Sequence, residues 1–193
     1  MSVHLDMGQQ KCWPFLFGIH MDTNAIIIME LYYNMGKILT EDECMNLGLE
    51  VLENKQKGSV ALESDTRYYR NSYGGTTPGS WEMLERFTPI VNELTGLSLK
   101  PANPYCRIYN NTSTLNPHID REGLDWTLSI CLFTNIDHDW PLFAKIGEEI
   151  LGFPTRIGEG ALMAGRQLEH WREPLVCSDD QYVVQMFLHW SQE

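Results

Sequence analysis

Three side chains in the second half of the chain have the types and spacing to hold a redox metal. His118 and Asp120 stand two apart in NPHID. On a strand, side chains alternate between faces, so this pair points the same way. Two imidazoles and one carboxylate on one side of an ion form the donor set that holds non-haem iron(II), leaving the other side open for cosubstrate and oxygen. The second imidazole must come from a neighbouring strand. His170, 50 residues beyond Asp120, follows a Gly-rich turn in GEGALMAGRQLEH and lies in a strand-like segment. That interval leaves room for about four strands, enough to bring the start and end of a jelly roll together.

The dipeptide spacing alone decides nothing. His-x-Asp occurs three times, at His4/Asp6, His20/Asp22 and His118/Asp120. Six His and ten Asp in a chain of this length would give about 0.3 by chance. Only the third match sits inside a run of strands. His189, in MFLHW, competes with His170 for the third position, since alternation puts Gln185, Phe187 and His189 on one face. His138, between Asp137 and Asp139, reads as a solvated turn residue. Taken by itself, His118 reads equally as a packed or surface histidine.

The elements that must carry these residues form two textures. Residues 24–33 (NAIIIMELYY) read as a strand. Thr40 opens a helix, TEDECMNLGLEVLEN, with Glu43 completing a capping box. Residues 57–80 read as a long loop rich in Gly, Ser, Thr and Tyr, of the kind that forms lids. A second helix follows, WEMLERFTPIVNELTG, with Ser80 as its N-cap and Gly96 as its stop; Pro89 predicts a kink or two short helices. From residue 98 onward come short strands: YCRIYN, NPHID, WTLSICLF, PLFAKI, GALMAG, LEHWREP and YVVQMFLHW. Helices first and a β half second predict an α+β class. The expected organisation is one domain, residues 1–97 a flank of strand, helices and loop, residues 98–193 the core carrying the metal site.

Composition narrows the function. The chain has 193 residues, 43% hydrophobic and 21% charged, with a net charge of −12. That excludes a general binder of nucleic acid or anionic membrane, which needs a basic face. No apolar run approaches the ~18 residues that span a bilayer. The N-terminus lacks the basic-then-apolar pattern of a secretory signal. The five cysteines include no CxxC pair, so reduced thiols and a cytoplasmic location are expected.

Three stretches together resemble the iron(II)/2-oxoglutarate-dependent dioxygenase superfamily, most closely its prolyl-4-hydroxylase-like branch. They are RIYNNTSTLNPHID (107–120), WTLSICLFTN (126–135) and GEGALMAGRQLEHWREPL (158–175), the last followed by QMFLHW. The resemblance covers residues 98–193 and implies a double-stranded β-helix (jelly roll) core. It implies iron(II) on His118, Asp120 and His170. It also implies oxidative decarboxylation of 2-oxoglutarate, with oxygen, to succinate and CO2, coupled to hydroxylation of a carbon. Asp120 favours hydroxylation, because halogenating relatives usually have Gly or Ala there.

The sequence departs from this pattern in one respect. The family usually sets a Lys or Arg about ten residues after the distal His, to pair with the far carboxylate of 2-oxoglutarate. Here that stretch reads Ser178, Asp179, Asp180, Gln181. A buried carboxylate without a partner is too costly, so another cation must serve. Arg172, two residues from His170 and on the same strand face, leads; Lys145 and Arg107 follow, and Arg156 and Arg166 are further candidates. Tyr109 is a candidate hydrogen-bond donor to the cosubstrate, and Thr127 and Ser129 line the same region. The expected substrate is a small molecule or peptide, by resemblance an amino-acid or peptidyl side chain. Two other classes stay open: a cupin-like lyase or isomerase using the same ligands, and a non-catalytic β-sandwich binding module.

Overall fold

The computed structural model describes residues 31–63, 68–69, 72–153 and 156–192. Most of the 24–33 segment, and both His-x-Asp pairs before residue 30, lie outside these residues. Twelve strands and two helices follow one another as β1 (Tyr32–Lys37), α1 (Glu41–Lys57), β2 (Ala61–Leu62), β3 (Tyr68–Tyr69), β4 (Tyr73–Gly75), α2 (Pro78–Thr95), β5 (Lys100–Asn110), β6 (Thr114–His118), β7 (Trp126–Thr134), β8 (Leu142–Ile146), β9 (Glu149–Phe153), β10 (Glu159–Met163), β11 (His170–Arg172) and β12 (Tyr182–Ser191).

The strands form two sheets, antiparallel at every pairing between them. The large one runs β1-β10-β7-β12-β5-β4-β2 and the small one β3-β6-β11-β8-β9. From β5 on, the chain crosses between the sheets as a jelly roll does. The large sheet is sided. On β7 and β12, Leu128, Ile130, Met186, Leu188 and Trp190 are fully buried against the helices. Thr127, Ser129, Phe187 and His189 alternate with them and face the opposite way, into a cavity. The period of two thus separates a structural face from a chemical one. Each fully buried Leu or Ile on the structural face contributes about 1.5–3 kcal/mol.

Both helices cover that outer face: α1 packs on β7, and α2 on β5 and β12. Val51 of α1 and Leu84, Phe87 and Val91 of α2 enter the core, and Trp190 Nε1 donates to Thr88 Oγ1 at 2.8 Å. Thr40 and Glu43 form the expected capping box, closed at the other end by Gly58 at φ +83°. The second helix starts earlier than expected and is one helix rather than two short ones. Its N-cap is Thr77, with Pro78 at the first helical position and Ser80 as the reciprocal box partner. It also runs unbroken through Pro89. Pro89 cannot donate to the Glu85 carbonyl, and both residues lie on the exposed side of the helix.

The 57–80 segment is not one loop: β2, β3 and β4 extend both sheets. With β1 at the opposite edge, the N-terminal flank therefore adds strands to the jelly roll, and residue 98 is not a sheet boundary. Strand β9 was not expected; its EILGF sequence carries only three strongly apolar residues around a glycine. Among the described residues, no helix is long and apolar enough to cross a membrane.

Candidate metal centre

His118 ends β6 and His170 begins β11, and the two strands pair with these residues directly opposite each other. Fifty residues of separation thus become one cross-strand pair, with imidazole centroids 4.3 Å apart. Asp120 lies just past β6. Its Oδ1 is 3.6 Å from His118 Nε2 and 3.9 Å from His170 Nε2. All three donor atoms lie within 4.8 Å of one another, and no other metal-holding group of three occurs among the described residues.

Each ligand is oriented from behind. His118 Nδ1 lies 2.9 Å from the Asn116 carbonyl, and His170 Nδ1 lies 2.9 Å from that of Leu168. A carbonyl only accepts, so each Nδ1 carries the proton and each neutral Nε2 presents a lone pair toward Asp120. Thr127 donates its hydroxyl proton to Asp120 Oδ2 at 2.5 Å, leaving Oδ1 toward the imidazoles. Two lone pairs and one carboxylate oxygen converging in this way fit a divalent ion of borderline softness.

The electrostatics match. Burial pushes the Asp120 carboxyl up, but the adjacent His118, the nearby His170 and His189, and the Thr127 hydroxyl outweigh it. They hold Asp120 well below the usual carboxylate range. Burial pushes His170 down, opposed by Asp120. A carboxylate and a neutral imidazole are the metal-binding forms.

Gly165 is a functional residue that periodicity alone misses. A Cβ there would lie 2.1 Å from Asp120 Oδ2 and 2.8 Å from Thr127 Oγ1, and the Gly165 carbonyl accepts the Asp120 amide proton at 2.9 Å. The bare backbone both clasps Asp120 and makes room for its side chain. The available signal was the last glycine of GEGALMAG.

The cavity beside the triad measures about 190 Å3. Thr127 and Ser129 line it as expected, and so does Arg107. Arg107 is 2% exposed, its Nη1 donating to Ser72 Oγ at 3.0 Å. Its guanidinium lies 5.3 Å from the Tyr105 ring and 6.0 Å from that of Tyr109. Arg172 shares the buried face of β11 with His170 but does not line this cavity. Its Nη1 donates to the Trp140 carbonyl at 2.6 Å, and its guanidinium sits 4.7 Å from that indole ring. Burial lowers its pKa, against the opposing effects of Tyr109 and Cys131. Tyr109 is fully buried, edge-on to Trp140. The two arginines thus stand in the buried interior around Tyr109.

Lys145 is not brought in. It alternates with buried Ala144 and Ile146 and projects outward into solvent. Arg156 and Arg166 are also exposed, ion-paired to Asp139 and Asp125. His189 lines the cavity but stays outside the ligand cluster, its Nδ1 donating to the Asn103 carbonyl at 2.6 Å. The three tryptophans lie apart: Trp126 packs under the helices, Trp140 in the interior beside Tyr109, and Trp171 stacks outside on Phe143.

The fold is a double-stranded β-helix carrying a His-Asp-His cluster beside its cavity. Solved structures bear out the fold. A Pseudomonas putida prolyl-4-hydroxylase is similar at a TM-score of 0.67 and 12% identity, over 88% of this chain and 97% of that one. A Trichoplax adhaerens prolyl hydroxylase, in complex with a hypoxia-inducible-factor peptide, is similar at 0.61 and 14%, over 87% and 90%. A Burkholderia pseudomallei oxidoreductase of the 2OG-Fe(II) oxygenase family is similar at 0.65 and 10%, over 92% and 94%. No sequence-family model and no curated protein matches the chain.

Proposed function

We propose that this protein is a non-haem iron(II)/2-oxoglutarate-dependent dioxygenase that hydroxylates a side-chain carbon of an amino acid or peptide. The observation that carries this reading is the convergence of His118 Nε2, His170 Nε2 and Asp120 Oδ1 beside a cavity that also holds a buried cation. Bound to these three residues, iron(II) supplies the open coordination positions and the oxidising power that an unactivated C–H bond requires.

The chain's own residues do the rest. Thr127 and Gly165 fix Asp120 so that one oxygen serves the metal. The Asn116 and Leu168 carbonyls hold the imidazoles in the ligating tautomer. The far carboxylate of 2-oxoglutarate needs a cation at the inner end of the cavity. Arg107 lines that cavity, and its planar fork suits bidentate pairing. Arg172 lies deeper, stacked on Trp140, and serves the same end from behind Tyr109. The buried aromatic surround of Tyr109, Trp140 and Phe187 keeps bulk water from the cosubstrate.

The substrate class rests on similarity in fold to two prolyl hydroxylases. Another similar structure is described as a carbocyclase dependent on alpha-ketoglutarate, so the fate of the oxidised carbon is a matter for product analysis.

The test is an anaerobic titration of metal-free protein with iron(II) and then 2-oxoglutarate, following the visible metal-to-ligand charge-transfer band. A saturable band that is absent in His170→Ala supports the reading. Metal binding without any band would move the protein to another metal-enzyme class. Failure to bind iron would leave a binding module.

A further inference from the structure

The wall of the cavity opposite the β6–β11 seam carries a second acid that metal binding does not use. Glu63 follows β2 at the edge of the large sheet and lines the same cavity as the triad. It is built in rather than draped over the mouth. Its backbone N–H donates to the Ser72 carbonyl at 3.1 Å, continuing the β2–β4 ladder. Its Oε1 accepts the Tyr105 hydroxyl proton. Tyr105 is itself fixed, because Gly74 leaves space for it: a Cβ at Gly74 would come within 2.5–2.9 Å of the phenol. On the other side of the cavity, His189 donates its Nδ1 proton to the Asn103 carbonyl, so a neutral His189 keeps its lone pair on Nε2. Among the described residues lining this cavity, the carboxylates are Asp120, at the metal centre, and Glu63, and the cations are Arg107 at the inner end and the exposed Arg121, the residue after Asp120.

Resting on the oxygenase reading above, we infer that Glu63 is the specificity-determining residue and that the substrate presents a cationic amine to it. Among the described residues, Tyr105 occupies one carboxylate oxygen, and the other is placed to accept from an ammonium. A charge-assisted hydrogen bond of this kind is about twice as strong as a neutral one. A site built to accept such protons rejects analogues that lack them, because its polar group is then left unsatisfied. The net charge of −12 raises the local concentration of cations and disfavours anionic competitors. Arg121 at the rim would meet a carboxylate, so a free diamino acid is the simplest ligand that uses both.

Ligand-observed NMR on the metal-free wild-type protein tests this without turnover. The probes are L-lysine, L-ornithine and L-arginine, each against its counterpart with the side-chain cation removed: norleucine, norvaline and citrulline. The expected result is binding of at least one cationic probe, at least tenfold tighter than its neutral counterpart. That preference should be lost in Glu63→Gln and retained in Arg121→Gln. Tyr105→Phe should weaken it severalfold, and the iron and 2-oxoglutarate band should persist in Glu63→Gln. Equal binding of charged and neutral probes, no binding of any cationic probe, or a preference that survives Glu63→Gln would overturn the inference. A normal charge-transfer band alongside any of these would leave the oxygenase reading standing. Absence of the band with selective amine binding would do the reverse.

Discussion

Asp120 depends on two neighbours that are themselves not ligands. Thr127 donates to Asp120 Oδ2, and Gly165 vacates the space that same oxygen needs. Replacing Thr127 with Val should weaken iron binding by about 10–100-fold, the usual cost of losing such a supporting hydrogen bond. Competition against a fluorescent chelator would measure it. Gly165→Ala should be more severe, because a methyl group cannot share the position of Asp120 Oδ2. Metal binding should be lost while circular dichroism still reports a folded β protein. Arg107→Gln and Arg172→Gln divide the cosubstrate question. Arg107→Gln should raise the KM for 2-oxoglutarate by tenfold or more, and Arg172→Gln by less, with added stability loss from disturbing a buried group. Thiol chemistry offers a pH-dependent check. Burial pushes Cys106 and Cys131 up to about 12. At pH 8 both stay protonated and inert, becoming thiolates only as pH nears that value. Iodoacetamide should therefore label neither in the native protein and both after denaturation, as peptide mass spectrometry would show.

Among the elements, α2 carries a correctable cost. An internal proline forfeits a helix hydrogen bond, and proline is about 3 kcal/mol worse than alanine in a helix interior. Pro89 is exposed and its helix is held by packing on β5 and β12. Pro89→Ala should raise the melting temperature by several degrees, at about 2–4 °C per kcal/mol for a chain of this size. Removing the cap by Thr77→Ala should cost about 1 kcal/mol, measurable by urea unfolding. The same helix marks where sequence reading succeeds and stops. Its stop at Gly96 was legible because glycine takes the left-handed cap conformation without strain. Its start was misread because Ser80 and Thr77 both have capping chemistry, and only the observed backbone chooses between them. The unbroken passage through Pro89 was illegible because it depends on which face meets water. On the strands, alternation told which of 185–190 faced inward. The same rule put Arg172 on the metal side of its strand, but not whether it reaches the cavity, since that depends on what packs in front of it. Lys145 failed for a simpler reason: its phase on β8 puts it outside, and two buried neighbours could have revealed this. Glu63 had no signal at all, for its meaning comes from Tyr105, forty-two residues away.

At the scale of the whole molecule, the triad joins parts that the backbone leaves separate. His118 and His170 belong to the small sheet. Asp120 is tied through Thr127 to the large sheet and through Gly165 to the connection between β10 and β11. An ion held by all three is therefore a clasp across the open end of the sandwich. Its contribution should be conditional, growing with the logarithm of free metal and reaching about 2.7 kcal/mol at a hundred times the dissociation constant. Chelation should then loosen the molecule unevenly. Amide hydrogens of β6 and β11 would exchange faster, while those of β5, β7 and β12, locked beneath the helices, would keep their protection. If iron is the ion, as proposed above, a cell short of it would hold this protein folded but ajar at one end, so metal supply would govern its lifetime against proteases.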